Sequence, residues 1–256
     1  MNKSLTLLFV SVFVITGCSP FGGNKETKNL VANGLSSKAI YKLADEKISA
    51  GSIGQAIKHY KTIIESYPGS KYAIQARLDI AYNLYKQKKY NLSILELNHF
   101  IEKYPKLSST PYAYYLKGVV AEAKSSSILD KIITDSAQRD VESIRNAYSY
   151  YMDLINTFPD SKYSEEASKK LFSLRNTLAR HELYVAIYYT SIGSHIAAIN
   201  RSKFIIENYP NSSSIPDSLH LMAYNYDEIN AKDLAGDIRK VLSSSYPSYS
   251  KNYSID

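Results

Sequence analysis

His181-Glu182 opens the H-E-x-x-H pattern, in which two histidines one helical turn apart hold a zinc ion and the glutamate serves as general base. Val185 stands where the second histidine belongs, so the zinc site is not completed. His59, His99, His195 and His220 fall one to a segment, without ligand spacing, and read as surface or packing residues. The chain has no G-x-S-x-G elbow, no P-loop and no glycine-rich strand-to-helix turn. Its 24 acidic residues show no arrangement beyond what solvated helices carry. The expectation is a non-enzymatic protein without metal or cofactor.

Cys18 is the more specific signal. As the single cysteine of the chain it cannot close an internal disulfide. It follows a short basic start, Met-Asn-Lys, an apolar run from Leu5 to Thr16 too short to span a bilayer stably, and Ile15-Thr16-Gly17. The arrangement resembles a bacterial lipoprotein signal peptide with its lipobox, in which the cysteine sulfur receives a diacylglyceryl group. Residues 1–17 are then the signal peptide, Cys18 is the lipidated residue, and Ser19 in place of Asp favours the outer membrane. Residues 18–37 are polar and lack apolar periodicity, which reads as a tether.

Those elements need a folded body. Of 256 residues, 45% are hydrophobic, with 10 Gly and 8 Pro, and the mean hydropathy is -0.27, which describes one or two core-forming domains. A formal charge of +7 raises nucleic acid as a partner. The basic clusters, Lys86, Lys88, Lys89 and Lys169, Lys170, are short and sit in helical segments, so solvated faces are the better reading and nucleic acid is not expected.

Aromatic-proline pairs recur at Tyr67-Pro68, Tyr104-Pro105, Phe158-Pro159, Tyr209-Pro210 and Tyr246-Pro247. Twelve residues before each proline stands a small residue: Ala56, Ser93, Ala147, Ala198 or Ala235. Twelve further back stand Ala44, Ala81, Ala186 and Ala223 in four of the five units, with Gly118 in the small position of the third. Small residues in fixed register let two helices approach closely, and the proline stops the second. The spacing is similar to the tetratricopeptide repeat, lengthened in its turn and lacking Trp. The expected fold is all-α, a right-handed tetratricopeptide-like superhelix of about five hairpins. Units at 38–122 precede an insertion at 123–141, units at 142–250 follow, and 251–256 form a tail. The stretch from Ser161 to Gly193 contains no helix breaker and predicts an extended first helix in unit four.

The concave face of such a superhelix is lined by the first helix of each unit. By resemblance to tetratricopeptide repeats, the lining falls on Lys38, Tyr41, Asp45 and Ile48, then Gln75, Leu78, Tyr82 and Tyr85, then Tyr112, Tyr115 and Glu122. Tyrosine offers rigid apolar area with a polar tip, suited to a peptide with aromatic side chains, and Lys38 or Lys86 is placed to meet a terminal carboxylate. With 24 tyrosines in the chain, groove and core are equal readings for any one of them.

The lipobox, the five units, YPGSKYAIQARLDIAYNLYKQKKY (Tyr67 to Tyr90), PYAYYLKG (Pro111 to Gly118), the inserted Asp135, Arg139 and Asp140, LRNTLARHELYVAIYY (Leu174 to Tyr189) and AAINR (Ala197 to Arg201) together resemble the BamD family, also called ComL. These are the outer-membrane lipoproteins of the β-barrel assembly machinery. The resemblance implies a lipid anchor in the inner leaflet of the outer membrane and a periplasmic body. Its C-terminal units would dock on the POTRA domains of a BamA-type barrel protein, and its N-terminal units would receive unfolded outer membrane proteins. Other lipoproteins of the machinery are further partners. Arg201, with Asn200 beside it, is the candidate BamA contact, because a guanidinium makes bidentate bonds to a carboxylate. The competing reading of Arg201 is an intramolecular pair with Glu207 or Glu182. A different lipidated repeat adaptor, such as a pilotin-like factor for secretin assembly, would share the fold. An envelope hydrolase with a repeat domain lacks its zinc ligand here, and DNA uptake lacks a basic groove with interleaved aromatics.

Overall fold

The computed structural model describes residues 30–125, 141–251, 253 and 254. Cys18, the signal segment and the inserted Asp135, Arg139 and Asp140 lie outside the described residues. Within them are ten helices: α1 (Ser37–Ser49), α2 (Ile53–Ser66), α3 (Lys71–Lys86), α4 (Tyr90–Lys103), α5 (Thr110–Ser125), α6 (Val141–Thr157), α7 (Lys162–Ser191), α8 (His195–Asn208), α9 (Ile215–Glu228) and α10 (Lys232–Ser245). Consecutive helices pair as five hairpins, and each hairpin packs on the next. The architecture is the all-α, tetratricopeptide-like one.

Two kinds of turn alternate. Between hairpins, the residue before each proline cannot stay helical, because the ring clashes with it. Tyr67, Tyr104, Tyr209 and Tyr246 accordingly show φ between -125° and -136°. The next helix restarts at Ser70 or Ser161, whose hydroxyls accept from the N–H groups of Ala73 and Tyr163. Within hairpins, the chain passes through a left-handed residue, which is Gly51 (φ 72°), Lys88 (59°), Gly193 (73°) and Asn230 (60°) in turn. The N–H after each returns to a carbonyl five residues back: Ser52 to Lys47 at 2.8 Å, Lys89 to Leu84 at 2.9 Å, Ser194 to Tyr189 at 2.8 Å and Ala231 to Tyr226 at 2.8 Å. This is the Schellman ending that glycine or asparagine suits best, and Lys88 adopts it with a Cβ that disfavours it.

The small residues are the helix contacts. Ala44, Ala56, Ala81, Ser93, Ala186, Ala198, Ala223 and Ala235 are all buried. In the second hairpin the Ser93 hydroxyl donates to the Ala81 carbonyl across the contact at 2.7 Å, which satisfies the one polar substituent in the series. The third hairpin solves the same problem differently. The ring of Tyr151, fully buried, occupies the space that a side chain at Gly118 would need, and a Cβ there would lie 2.2 Å from its Cε1. Three apolar clusters follow one another along the chain, around Ile63, around Phe100 and around Leu178.

Helix α7 runs for 30 residues without interruption, against 16 in α3, and packs on α5 and α6 as well as on α8 and α9. It welds the third hairpin to the fourth. The tether expectation is corrected at its C-terminal end. Leu30, Val31 and Leu35 pack on the first core cluster, and the Tyr67 hydroxyl donates to the Leu35 carbonyl at 2.7 Å, so residues 30–37 belong to the folded body. Three apolar side chains in a polar run bury enough surface to hold it down. Helix α5 likewise continues to Ser125, past the expected start of the insertion at residue 123.

Gly118→Val is expected to cost about 2 to 3 kcal/mol in urea denaturation, because Tyr151 has nowhere to retreat. Gly54→Ala, with nothing within 4 Å of its added Cβ, serves as the neutral control.

A tyrosine and carboxylate groove and an exposed C-terminal face

Helical spacing gathers the groove residues. On α3, Tyr72, Gln75, Asp79 and Tyr82 recur at steps of three and four, which places them on one face. Lys38, Tyr41 and Asp45 do the same on α1, Tyr112, Tyr115 and Glu122 on α5, and Tyr163, Glu166 and Lys170 on α7. The rings meet in tilted contacts: Tyr60, Tyr41 and Tyr72 at centroid distances of 5.4 and 5.3 Å; Tyr112, Tyr163, Tyr115 and Tyr151 at 5.5, 5.5 and 5.8 Å. Tyr82 and Tyr85 lie tilted to one another at 6.0 Å, and Tyr82 is 42% exposed.

Carboxylates hold the hydroxyls. Tyr41 donates to Asp79 Oδ2 at 2.5 Å, Tyr60 to Asp45 Oδ1 at 2.8 Å and Tyr151 to Glu122 Oε2 at 3.0 Å. Gln75 Nε2 adds a bond to Asp79 Oδ1 at 3.0 Å, and Lys170 Nζ lies 2.6 Å from Glu122 Oε2. Burial, opposed by these hydrogen bonds, raises the Asp79 carboxyl above its ordinary range. Burial first and the bonded carboxylate next push the Tyr41 hydroxyl up, and the same causes, with Glu166 as partner, push Tyr115 up to about 12. Each tyrosine thus stays a neutral donor, locked in one rotamer by its acceptor. At the N-terminal end of the groove, Lys38, Lys42, Tyr41, Tyr72 and Asp45 line a depression of ~390 Å³.

The structure sorts the predicted lining. Lys38, Gln75 and Tyr82 are exposed, and Tyr41, Tyr85, Tyr112 and Tyr115 are half-buried. Leu78 is corrected: at 3% exposure it belongs to the core with Ala81, Leu97 and Phe100. It sits three residues from Gln75 but on the flank of α3 that turns toward α4, and an aliphatic side chain there gains more from the core than from solvent. Sequence reasoning missed Tyr72, Asp79 and Tyr163. The step of four from Gln75 to Asp79 on the same helix was the available signal for the acid.

On the C-terminal side, Arg201 Nη1 donates to Glu182 Oε2 at 2.9 Å, and Arg145 Nη2 stands 3.6 Å from Glu182 Oε1. The Glu182 side chain is only 5% exposed, so this pair neutralises a buried charge. The glutamate of the incomplete zinc pattern is therefore committed to two arginines, and a substitution at Arg201 disturbs the fold as well as the surface. Among the described residues, no three His, Cys, Asp or Glu side chains gather as metal ligands. Asn200 is exposed on α8, with Ile196 (58% exposed) and Phe204 (37%) one turn to either side. Tyr184, Tyr188 and Ile192 form a second exposed row at steps of four along the end of α7. These are large apolar side chains left open to solvent.

A family model described as YfiO, outer membrane lipoprotein, matches residues 34–241. The chain belongs to that family. Its relatives include the outer membrane protein assembly factor BamD of Neisseria gonorrhoeae, 30% identical over 94% of this chain and 91% of that protein. The factor of the same name from Haemophilus influenzae is 32% identical over 94% of this chain and 89% of its own length. Among solved structures, the chain is similar to the TPR2AB domain of yeast Sti1, at 13% identity and a TM-score of 0.40, over 83% of this chain and 78% of that one. Membership of the YfiO and BamD family favours the assembly-factor reading over the secretin adaptor. No helix among the described residues is long and apolar enough to cross a membrane.

The Asp79 carboxyl keeps its proton to higher pH when folded than when unfolded. The folded state therefore binds more protons between 3.8 and the raised value, and stability falls as pH rises through that interval. Asp79→Asn removes the titration, so the stability of the variant relative to the parent is expected to improve as pH rises from below 3.8 to neutrality, read by denaturant titrations across pH.

Proposed function

We propose that this chain is a non-enzymatic outer membrane protein assembly factor that holds unfolded barrel proteins along its tyrosine groove and docks a BamA-type barrel protein on its C-terminal hairpins. The observation that carries the reading is the set of half-buried rings on α1, α3, α5 and α7, Tyr41, Tyr72, Tyr112, Tyr115 and Tyr163, of which Tyr41 is held by Asp79 and Tyr115 by Glu166. Barrel strands alternate apolar and polar side chains and expose backbone donors and acceptors until they pair. Fixed aromatic faces give such a segment apolar contact at little entropic cost, and the remaining lone pairs of Asp79, Asp45 and Glu122 accept its free N–H groups. The depression between Tyr41 and Tyr72 has Lys38 and Lys42 at its wall, which suits an aromatic residue that ends in a carboxylate.

The docking half rests on the exposed apolar row at Ile196 and Phe204 with Asn200 between them. Cys18 anchors the chain to the outer membrane, and the body works in the periplasm. Other lipoproteins of the machinery are further partners.

A fluorescent peptide of alternating apolar and polar residues ending in Phe is expected to bind the chain, with affinity about tenfold weaker for Tyr82→Ala, since an exposed aromatic contact is worth on the order of 1 kcal/mol or more. Amidating the peptide terminus should weaken binding further, and no difference between free acid and amide would discard the role given to Lys38 and Lys42. The docking half is read separately. Ile196→Lys should reduce the BamA-type protein recovered with the tagged chain from detergent extracts while leaving the melting temperature unchanged.

A further inference from the structure

The formal charge of the body is unevenly placed. Residues 30–125 carry 14 Lys and Arg against 7 Asp and Glu, whereas residues 141–254 carry 12 of each. Every unit of net positive charge in the described body thus lies on the first hairpins. Packing then concentrates it. The turns inside hairpins all lie at one end of the helices, where α1, α3 and α5 finish and α2 and α4 begin. Lys58 shares a surface depression with Gly51 and Gln87, which joins the first turn to the second. Lys88, Lys89 and Leu92 share another with Lys124, which joins the second turn to the end of α5. Lys47, Lys58, Lys86, Lys88, Lys89 and Lys124 form one basic edge.

Three features mark that edge as more than a solvated face. None of the six lysines has a carboxylate partner among the described residues, so the charge of the edge is not offset by ion pairs within the body. Lys88 occupies the left-handed turn position that Gly51, Gly193 and Asn230 fill in the sister hairpins, so a lysine is kept where the backbone disfavours it. The same edge loses its character in the C-terminal half. It is apolar at Ile192 and Ile196 and mixed in charge beyond them, with Lys232 beside Asp233 and Asp227 paired to Arg239.

We propose that the basic edge of the first hairpins seats on the anionic phospholipid headgroups of the leaflet that holds the lipid anchor. The proposal rests on the reading of Cys18 as that anchor. Eleven residues lie between Cys18 and Leu30, where the described body begins, and the twelve Cα-to-Cα steps span at most ~40 Å. Helix α1 is only ~20 Å long, so the tether lets either end of the first hairpin reach the bilayer. Charge, which the tether does not supply, selects the lysine end. With acyl chains providing attachment, the edge provides orientation: the helices stand on their turns, and the tyrosine groove on their flanks stays uncovered.

The test uses the chain from residue 18 with Cys18→Ser, so that no acyl group contributes. It is sedimented with vesicles of phosphatidylcholine mixed with phosphatidylglycerol, and with vesicles of phosphatidylcholine alone. Binding to the mixed vesicles only, weakened by salt, is expected, with about a fivefold loss per lysine reversed in the series Lys58→Glu, Lys88→Glu, Lys89→Glu and Lys124→Glu. Lys88→Gly separates charge from fold, because it should lower vesicle binding while raising the melting temperature. Equal binding to both vesicles, insensitivity to the reversals, or binding to polyglutamate but not to vesicles overturns the proposal. The mass of Cys18 in the full-length protein, purified from membranes, reports the anchor independently, so failure of one reading is distinct from failure of the other.

Discussion

The close approach of paired helices at small residues is the constraint on which the rest of this structure depends. Ala44 against Ala56 and its four sister contacts bring backbones near enough that each hairpin is a rigid unit. Rigid units stacked through the proline turns fix the register of α1, α3, α5 and α7, and only with that register do their outward residues form a single surface. Where alanine is replaced, the contact is rebuilt. Ser93 finds a carbonyl, and Gly118 yields its space to the Tyr151 ring, whose hydroxyl then reaches Glu122 in the groove. The core contact at Gly118 is thereby linked to the carboxylate of Glu122.

The tyrosines of the groove combine ring packing with a polar tip that carboxylates can hold. Tyr41 packs its ring against Tyr60 and Tyr72 while Asp79 holds its hydroxyl, which keeps the polar tip satisfied and the ring fixed. A flexible surface would have to be ordered by the incoming segment, and here that ordering is already in the fold. The acids need the tyrosines as much as the reverse, because Asp79 is deep enough that its charge is disfavoured without Tyr41 and Gln75.

The two halves differ in what they present. The first hairpins offer tyrosine, carboxylate and an unpaired lysine edge; the later ones are neutral, with exposed Tyr188, Ile192 and Ile196 and a charge pair sunk beneath Arg201. Helix α7 joins them as one continuous rod, so a load on the C-terminal face is carried to the groove without a loop to absorb it.

Much of this was legible before any coordinates. Prolines and small residues twelve apart announce hairpins because they act locally, through ring clash and helix contact, and the absence of a breaker from Ser161 to Gly193 announced the long helix. Family motifs carried the assembly role. The sequence alone could not tell Leu78 from Gln75, or a free Arg201 from one spent on Glu182, because both distinctions depend on which neighbour another helix brings within 4 Å. Nor could it gather Lys58, Lys88 and Lys124 into one edge, since residues 66 apart in the chain meet only when the hairpins stack. Local sterics are written residue by residue; surfaces made by several helices exist only once their packing has fixed the register.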